Sequence, residues 1–281
     1  MGYTGKMSDT ADRRNYPFTK TEGLGNDFII MDDLACQIDF SADEVRRLCD
    51  RHFGIGADGL ILLRPATDTH ADFSWKFYNA DGSLAEMCGN GIRCIAAYVC
   101  EFGLIGADQE QLHIQTAAGV KALSILRDSE GVFEAAEVAM GQATVINEAA
   151  CVADTELFCV SLGNPHAVTF VVDVDSAPLS VLGPRIETDP AFPDRTNVEF
   201  VQIKDRTTLL LRVWERGVGE TLACGTGACA AAVAAWRKGA CDPHITVNVP
   251  GGTLQIEIDP VTLQIKMRGP ARIVFMGTIP L

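Results

Sequence analysis

Residues 92–100 (IRCIAAYVC) and 228–236 (ACAAAVAAW) are apolar or small on nearly every face a helix would present, with Arg93 the exception. A helix that is apolar all round has to be enclosed by other elements. Gly103 and Gly239 follow these runs and mark helix ends, so helices are expected over about 90–102 and 226–238. The rest of the chain supplies material for the enclosure. Short β-rich or alternating runs dominate it: DFIIMD, GLILLRP, FSWKFYN, LHIQTAAGVKALSIL, FEAAEVAM, HAVTFVVD, NVEFVQI, TLLLRVW, HITVNV, TLQIEIDPVTLQIKM and ARIVFMG. The expected class is therefore α/β of the α+β type, with two pseudo-symmetric domains, each a mostly antiparallel curved sheet wrapped around one buried helix. A further helix is signalled by SADEVRRLCDRHFG, where Ser41 and Glu44 form a capping box and Gly54 is placed to close the end.

Internal repetition supports two halves. LGN occurs at 24–26 and again at 162–164, and Cys-Gly-x-Gly follows each at similar spacing, starting at Cys88 and Cys224. TAAGV at 116–120 and VPGGT at 249–253 give a third match in the same order. Three ordered matches point to duplication. The polar turn LRDSEGVF, 126–133, marks the expected seam. On this division residues 1–16 form a flexible tail, 17–128 the N-terminal half, completed by a strand over 271–281, and 129–270 the C-terminal half.

Several functions are disfavoured by composition. A formal charge of −14 over 281 residues is unsuited to nucleic acid, whose phosphates need clustered Lys and Arg. No apolar run approaches the roughly 20 residues that span a bilayer, so no membrane association is expected. The first residues lack a secretory apolar core, and Lys6 occupies the position where a myristoylation signal would carry Ser or Thr. Ten dispersed cysteines without an export signal fit reduced thiols and a cytoplasmic location. Metal-ligand spacings such as C-x-x-C and H-E-x-x-H are absent, and no metal is expected. GIGADG at 54–59 satisfies G-x-G-x-x-G, but it follows a helix and precedes a strand, the reverse of a dinucleotide site.

Cys88 and Cys224 carry the chemical signal. Each precedes a glycine at the start of an enclosed helix, where unpaired amides and the dipole favour an anion. A thiol there should ionise more easily, and glycine lets backbone amides approach a carboxylate. Two such turns from symmetric halves suit stereoinversion: one thiolate removes an α-proton and the opposing thiol returns one. Two alternatives remain open from these residues: small side chains filling tight helix starts, and a redox pair.

FTKTEGLGNDFII, FYNADGSLAEMCGNGIRC, SLGNPHAV, TNVEFV and VWERGVGETLACGTGACA, in this order, resemble the diaminopimelate epimerase family over about residues 18–278. The resemblance implies interconversion of LL- and meso-diaminopimelate without pyridoxal phosphate, another cofactor or a metal, on the route to lysine, by an enzyme commonly homodimeric. It implies that Cys88 and Cys224 are the catalytic thiols, with His166 and Glu215 beside them. It assigns Gly89, Asn90, Gly225 and Thr226 to the reacting carboxylate and Asn26 to the reacting amino group. Asn79, Asn164, Asn197 and Arg216 then hold the far carboxylate, and Glu215 the far ammonium; a guanidinium suits that task because it grips a carboxylate bidentately. Two positions depart from the pattern: Glu22, where many members have His, and Gly59, where some have Gln. A related racemase for proline or hydroxyproline and a non-catalytic amino-acid-binding protein are the competing readings. Proline lacks the second amino-acid end that Glu215, Arg216 and the asparagines would serve.

Overall fold

The computed structural model describes residues 15–85 and 87–281. Most of the expected tail, and with it Met1, Gly2 and Lys6, lies outside the described residues. Residues 15 and 16 do not belong to a tail: strand β1 (Asn15–Gly23) begins there, paired along its length with a C-terminal strand.

The first half is a chain of pairings. β1 turns through Leu24 and Gly25, both at positive φ, into antiparallel β2 (Asn26–Asp32). Helix α1 (Ala42–Cys49) returns the chain so that β3 (Gly59–Pro65) lies parallel to β2. β4 (Phe73–Asn79) is antiparallel to β3. Helix α2 (Gly89–Glu101) follows, and β5 (Gln111–Thr116) lies parallel to β4. β6 (Gly119–Arg127) and β7 (Phe133–Gln142) complete an antiparallel run.

The second half repeats this order. β8 (Thr144–Val152) and β9 (Thr155–Ser161) form a hairpin, and β9 turns through Gly163 into antiparallel β10 (Pro165–Phe170). Helix α3 (Leu179–Glu187) leads to parallel β11 (Asn197–Asp205), then antiparallel β12 (Thr208–Glu215) with the short β13 (Gly219–Thr221). Helix α4 (Gly225–Arg237) leads to β14 (His244–Val249), parallel to β12, and then antiparallel β15 (Gly252–Ile258) and β16 (Gln264–Gly269). β17 (Arg272–Pro280) crosses back to pair with β1. Hydrogen bonding passes from one half to the other through the β7–β16 pair.

Burial explains why these helices form where they do. Ile92, Cys94, Ile95 and Val99 of α2 are 0% exposed and pack in one core with residues of β2 to β7. Ala228 to Ala235 of α4 are equally buried, against β9 to β16. The alanine run lets the sheet close tightly over α4, and burying each branched residue of α2 contributes roughly 1.5–3 kcal/mol. Both helices begin one residue earlier than the sequence suggests, because Cys88 and Cys224 are themselves the caps: each sulfur accepts the amide three residues on, from Gly91 and from Gly227, at 3.4 Å. Gly103 and Gly239 adopt positive φ just past the ends, as expected.

Two further expectations change. The Ser41–Glu44 capping box is present, but α1 stops at Cys49, with Asp50 extended. Gly54 instead closes a separate turn onto the Asp50 carbonyl. The 126–133 turn joins β6 to β7 inside the first sheet, and Ala136 and Val138 beyond it pack on α2. No helix among the described residues is long and apolar enough to cross a membrane.

Candidate active site

The two sulfurs sit at the starts of helices that meet. A Cβ placed on Gly89 would lie 3.0 Å from Met267 Cε, and one on Gly225 would lie 3.1 Å from Met267 Sδ. One methionine of β16 thus spaces both helix starts, and neither position accepts a side chain without moving it. Asn90 ties the halves directly: its Nδ2 donates to Ala223 O at 3.3 Å, just before Cys224, and to Asn26 Oδ1 at 3.1 Å. The Cys88 thiol points at the same Asn26 oxygen, at 3.8 Å.

Asn26 is held in turn by GIGADG. Its Nδ2 donates to Asp58 Oδ2 at 2.7 Å. Asp58 and Asp27 share Arg51, and Lys20 pairs with Asp27 at 2.7 Å. Burial pushes the Asp27 carboxyl up, but Arg51 and Lys20 outweigh it and hold the group at about 2. The glycine-rich stretch is therefore a structural latch for the Cys88 side. Gly59 has no room for any side chain, since a Cβ there would meet Phe77 and the Tyr78 carbonyl at 2.7 Å. Glu22 is engaged by Arg272 at 2.7 Å and by the Gly25 amide at 2.9 Å.

Around Cys224 a chain of polar groups runs inward. Its sulfur meets Thr226 Oγ1 at 3.5 Å, and that oxygen accepts from Asn164 Nδ2 at 3.3 Å. Asn164 Oδ1 faces His166 Nε2 at 3.1 Å, and His166 Nδ1 meets Glu199 Oε1 at 2.7 Å. His166 and Glu199 are 1% and 0% exposed, and Glu199 Oε2 has no hydrogen-bond partner. Burial raises the Glu199 carboxyl, with His166 pulling it down. Glu215 is also raised by burial, while the Thr221 hydroxyl, which donates to it, and the neighbouring Cys224 thiol pull it down.

Both thiols are harder to ionise than the helix-start argument alone predicts. Burial pushes Cys88 up; the Gly91 and Asn90 amides and the Arg93 guanidinium oppose this, and Glu215 adds to it. Cys224 is pushed well above the ordinary thiol value by burial, then by the Glu215 and Glu199 carboxylates, against Thr226 and the Gly227 amide. Desolvation and carboxylates together outweigh the dipole.

Asn197 and Arg216 form a second cluster: Asn197 Oδ1 accepts the Arg216 amide at 3.0 Å, and the guanidinium donates to Asp194 O at 3.0 Å. Glu215 and Arg216 do not pair with each other. Asn79 bonds Ser83 Oγ at 2.9 Å and has no hydrogen bond to any other candidate. An open cavity of about 480 Å³ is lined by neither thiol but by residues such as Glu22, Glu134, Gly252, Arg268 and Arg272. Sequence reasoning did not single out Asp58, Glu199 or Met267. A glutamate inside the apolar run NVEFV was the available signal for Glu199.

The family model described as diaminopimelate epimerase matches residues 18–146 and 158–274. The chain belongs to the diaminopimelate epimerase family. A Nostoc sp. protein named diaminopimelate epimerase 1 is 45% identical over 276 residues, covering 93% of this chain and 99% of that one. A Moorella thermoacetica diaminopimelate epimerase is 45% identical over 281 residues, covering 94% and 99%. The fold is shared more widely. A hydroxyproline epimerase from Agrobacterium vitis, solved with bound trans-4-hydroxy-L-proline, superimposes with a TM-score of 0.72 at 15% identity, over 95% of this chain and 93% of that one. A Bacillus anthracis PhzF-family phenazine biosynthesis protein gives 0.73 at 15% identity, over 95% and 100%.

Proposed function

We propose that this chain interconverts LL- and meso-diaminopimelate by two-thiol acid–base chemistry, serving lysine biosynthesis in the cytoplasm as a homodimer, without pyridoxal phosphate or metal. The observation that carries this reading is that two cysteines cap two enclosed helices whose first residues meet at Met267. The substrate's reacting carboxylate lies between the Gly89–Asn90 and Gly225–Thr226 starts. One sulfur, as thiolate, takes the Cα proton, and the C–H electron pair moves toward the carboxylate. The opposing thiol then gives its proton to the other face, so the two cysteines exchange roles with each inversion. Asn197 and Arg216 take the far carboxylate, with Asn79 and Asn164 at its edge.

Substrate itself adjusts the thiols. The Glu215 carboxylate raises both of them in the free protein. A far ammonium paired with Glu215 cancels that charge and brings the thiolate within reach. On pairing pattern, the working halves are β1 to β7 with β17, and β8 to β16. Incubating diaminopimelate with the protein in deuterated buffer containing a chelator tests the reading: one solvent deuteron should enter at the inverted α-carbon. No α-exchange by the folded protein would refute it.

A further inference from the structure

Helix α2 buries a complete positive charge. Arg93 is 0% exposed, and no carboxylate pairs with it among the described residues. Its guanidinium donates to Gly89 O at 3.0 Å, to Asn90 Oδ1 at 3.0 Å and to Pro270 O at 3.2 Å. An unpaired buried cation is among the most costly features a fold can hold, and arginine cannot escape by losing its proton. The charged or ionisable groups facing it are Glu22 from β1, Cys88 and Cys94 from its own helix, and Cys229 from α4. Glu22 is already engaged by Arg272 and by the Gly25 amide. The duplicated half offers no counterpart, because Cys229 follows Cys224 at the spacing by which Arg93 follows Cys88. The cation therefore belongs to the α2 start alone.

We propose that Arg93 is a positioning residue for the carbanion step, a fixed counter-charge behind the α2 start that favours the extra negative charge the reacting carboxylate gains when its α-carbon is deprotonated. This rests on the two-thiol reading above. The bound carboxylate carries one negative charge. After the proton leaves for the thiolate and the C–H electron pair delocalises, the resulting enediolate carries two, until the opposing thiol returns a proton to carbon. A fixed cation interacts more strongly with the second state than with the first, which is the condition for lowering a barrier rather than only tightening binding. Each helix start supplies roughly half a charge, and Arg93 adds a whole one in a medium of low dielectric. The same guanidinium holds Asn90 Oδ1, so that Asn90 Nδ2 faces Asn26 and Ala223 and the cradle keeps its shape.

The test compares wild type, Arg93→Lys and Arg93→Met, each checked for folding by thermal melting. Readouts are kcat and KM in both directions, and affinity for a diaminopimelate analogue with a planar α-carbon. Arg93→Met should lower kcat about a hundredfold, the scale of losing one preorganised oxyanion contact, in both directions with KM little changed. It should weaken the planar analogue more than it weakens diaminopimelate. Arg93→Lys, which keeps the charge, should recover a large part of kcat. The inference is overturned if folded Arg93→Met keeps kcat, if only KM changes, or if Arg93→Lys and Arg93→Met lose kcat equally. Should Arg93→Met not fold, Arg93→Lys decides alone: it must retain planar-analogue affinity, and its loss refutes the inference. Absence of α-exchange in wild type would instead remove the two-thiol reading.

Discussion

Thr226→Val tests the polar chain that ends on Cys224 with almost no change of shape. The Thr226 hydroxyl accepts from Asn164 Nδ2 and faces the Cys224 sulfur at 3.5 Å, so its hydrogen is free to point at that sulfur. Its direction is set from within. Asn164 turns its Oδ1 toward His166 Nε2, whose Nδ1 meets the buried Glu199 carboxyl. That leaves the Asn164 amino group for Thr226. A hydrogen bond to a charged group contributes roughly 1.5–3 kcal/mol, and the long contact to sulfur puts this one near the lower end. Since about 1.4 kcal/mol is one pKa unit, Cys224 in Thr226→Val should ionise about one unit higher. The acid limb of kcat/KM for α-deuterium exchange should move up by about that amount, with about a tenfold loss of rate on that limb. Because the equilibrium constant is fixed, kcat/KM must fall equally in both directions. Thr226→Ser should restore the wild-type profile. A folded Thr226→Val protein with an unshifted pH profile and rates within about twofold of wild type would refute the chain as the means of tuning Cys224.

Glu215→Gln should separate thiol reactivity from turnover. Removing the carboxylate that raises both sulfurs should make Cys88 and Cys224 alkylate faster in the free protein, as mapped by mass spectrometry, while epimerisation falls. Slower alkylation of both would contradict the electrostatic account. Asp27, depressed to about 2 by its cationic partners, contributes stability that is complete above its unfolded value of about 4 and lost as pH falls toward 2. The full loss is worth about 2 kcal/mol, and urea melts at pH 6 and 3 should show about half of it in wild type and much less in Asp27→Asn. Ala231→Leu adds bulk where α4 is fully enclosed and should cost about 1–3 kcal/mol or more; an unchanged melting temperature would argue against tight packing there.

The enclosed helices and their duplication were legible because the signal was local and strong: apolar all-round runs, glycine stops, and Cys-Gly-x-Gly twice. Three elements were not. β8 is a largely exposed strand whose sequence, TVINEAACV, is broken by Asn147 and Glu148 and shows no regular alternation. α3 contains Gly183 and Pro184 and has no side-chain cap, all of which read as loop. Its glycine is dictated from outside, since a Cβ at Gly183 would lie 2.6 Å from the Trp214 ring. The seam was misplaced because 126–133 has the composition of a linker, and only pairing shows that β7 belongs with α2. The thiols show the same limit in chemical form. A helix start predicts easier ionisation, but the opposing desolvation and carboxylates come from residues brought together only by folding.

The last strand has a bearing on how the molecule is made. β1 is among the first segments of this structure to be synthesised, and its partner β17 is the last. During synthesis β1 therefore waits without this partner until β17 arrives, even if much between has already collapsed around α2. Contacts this distant in sequence slow folding, and an open strand edge invites pairing with another chain. Deleting β17 would remove no proposed catalytic group, yet it would uncover the edge of β1. The yield of soluble protein should suffer before the chemistry does.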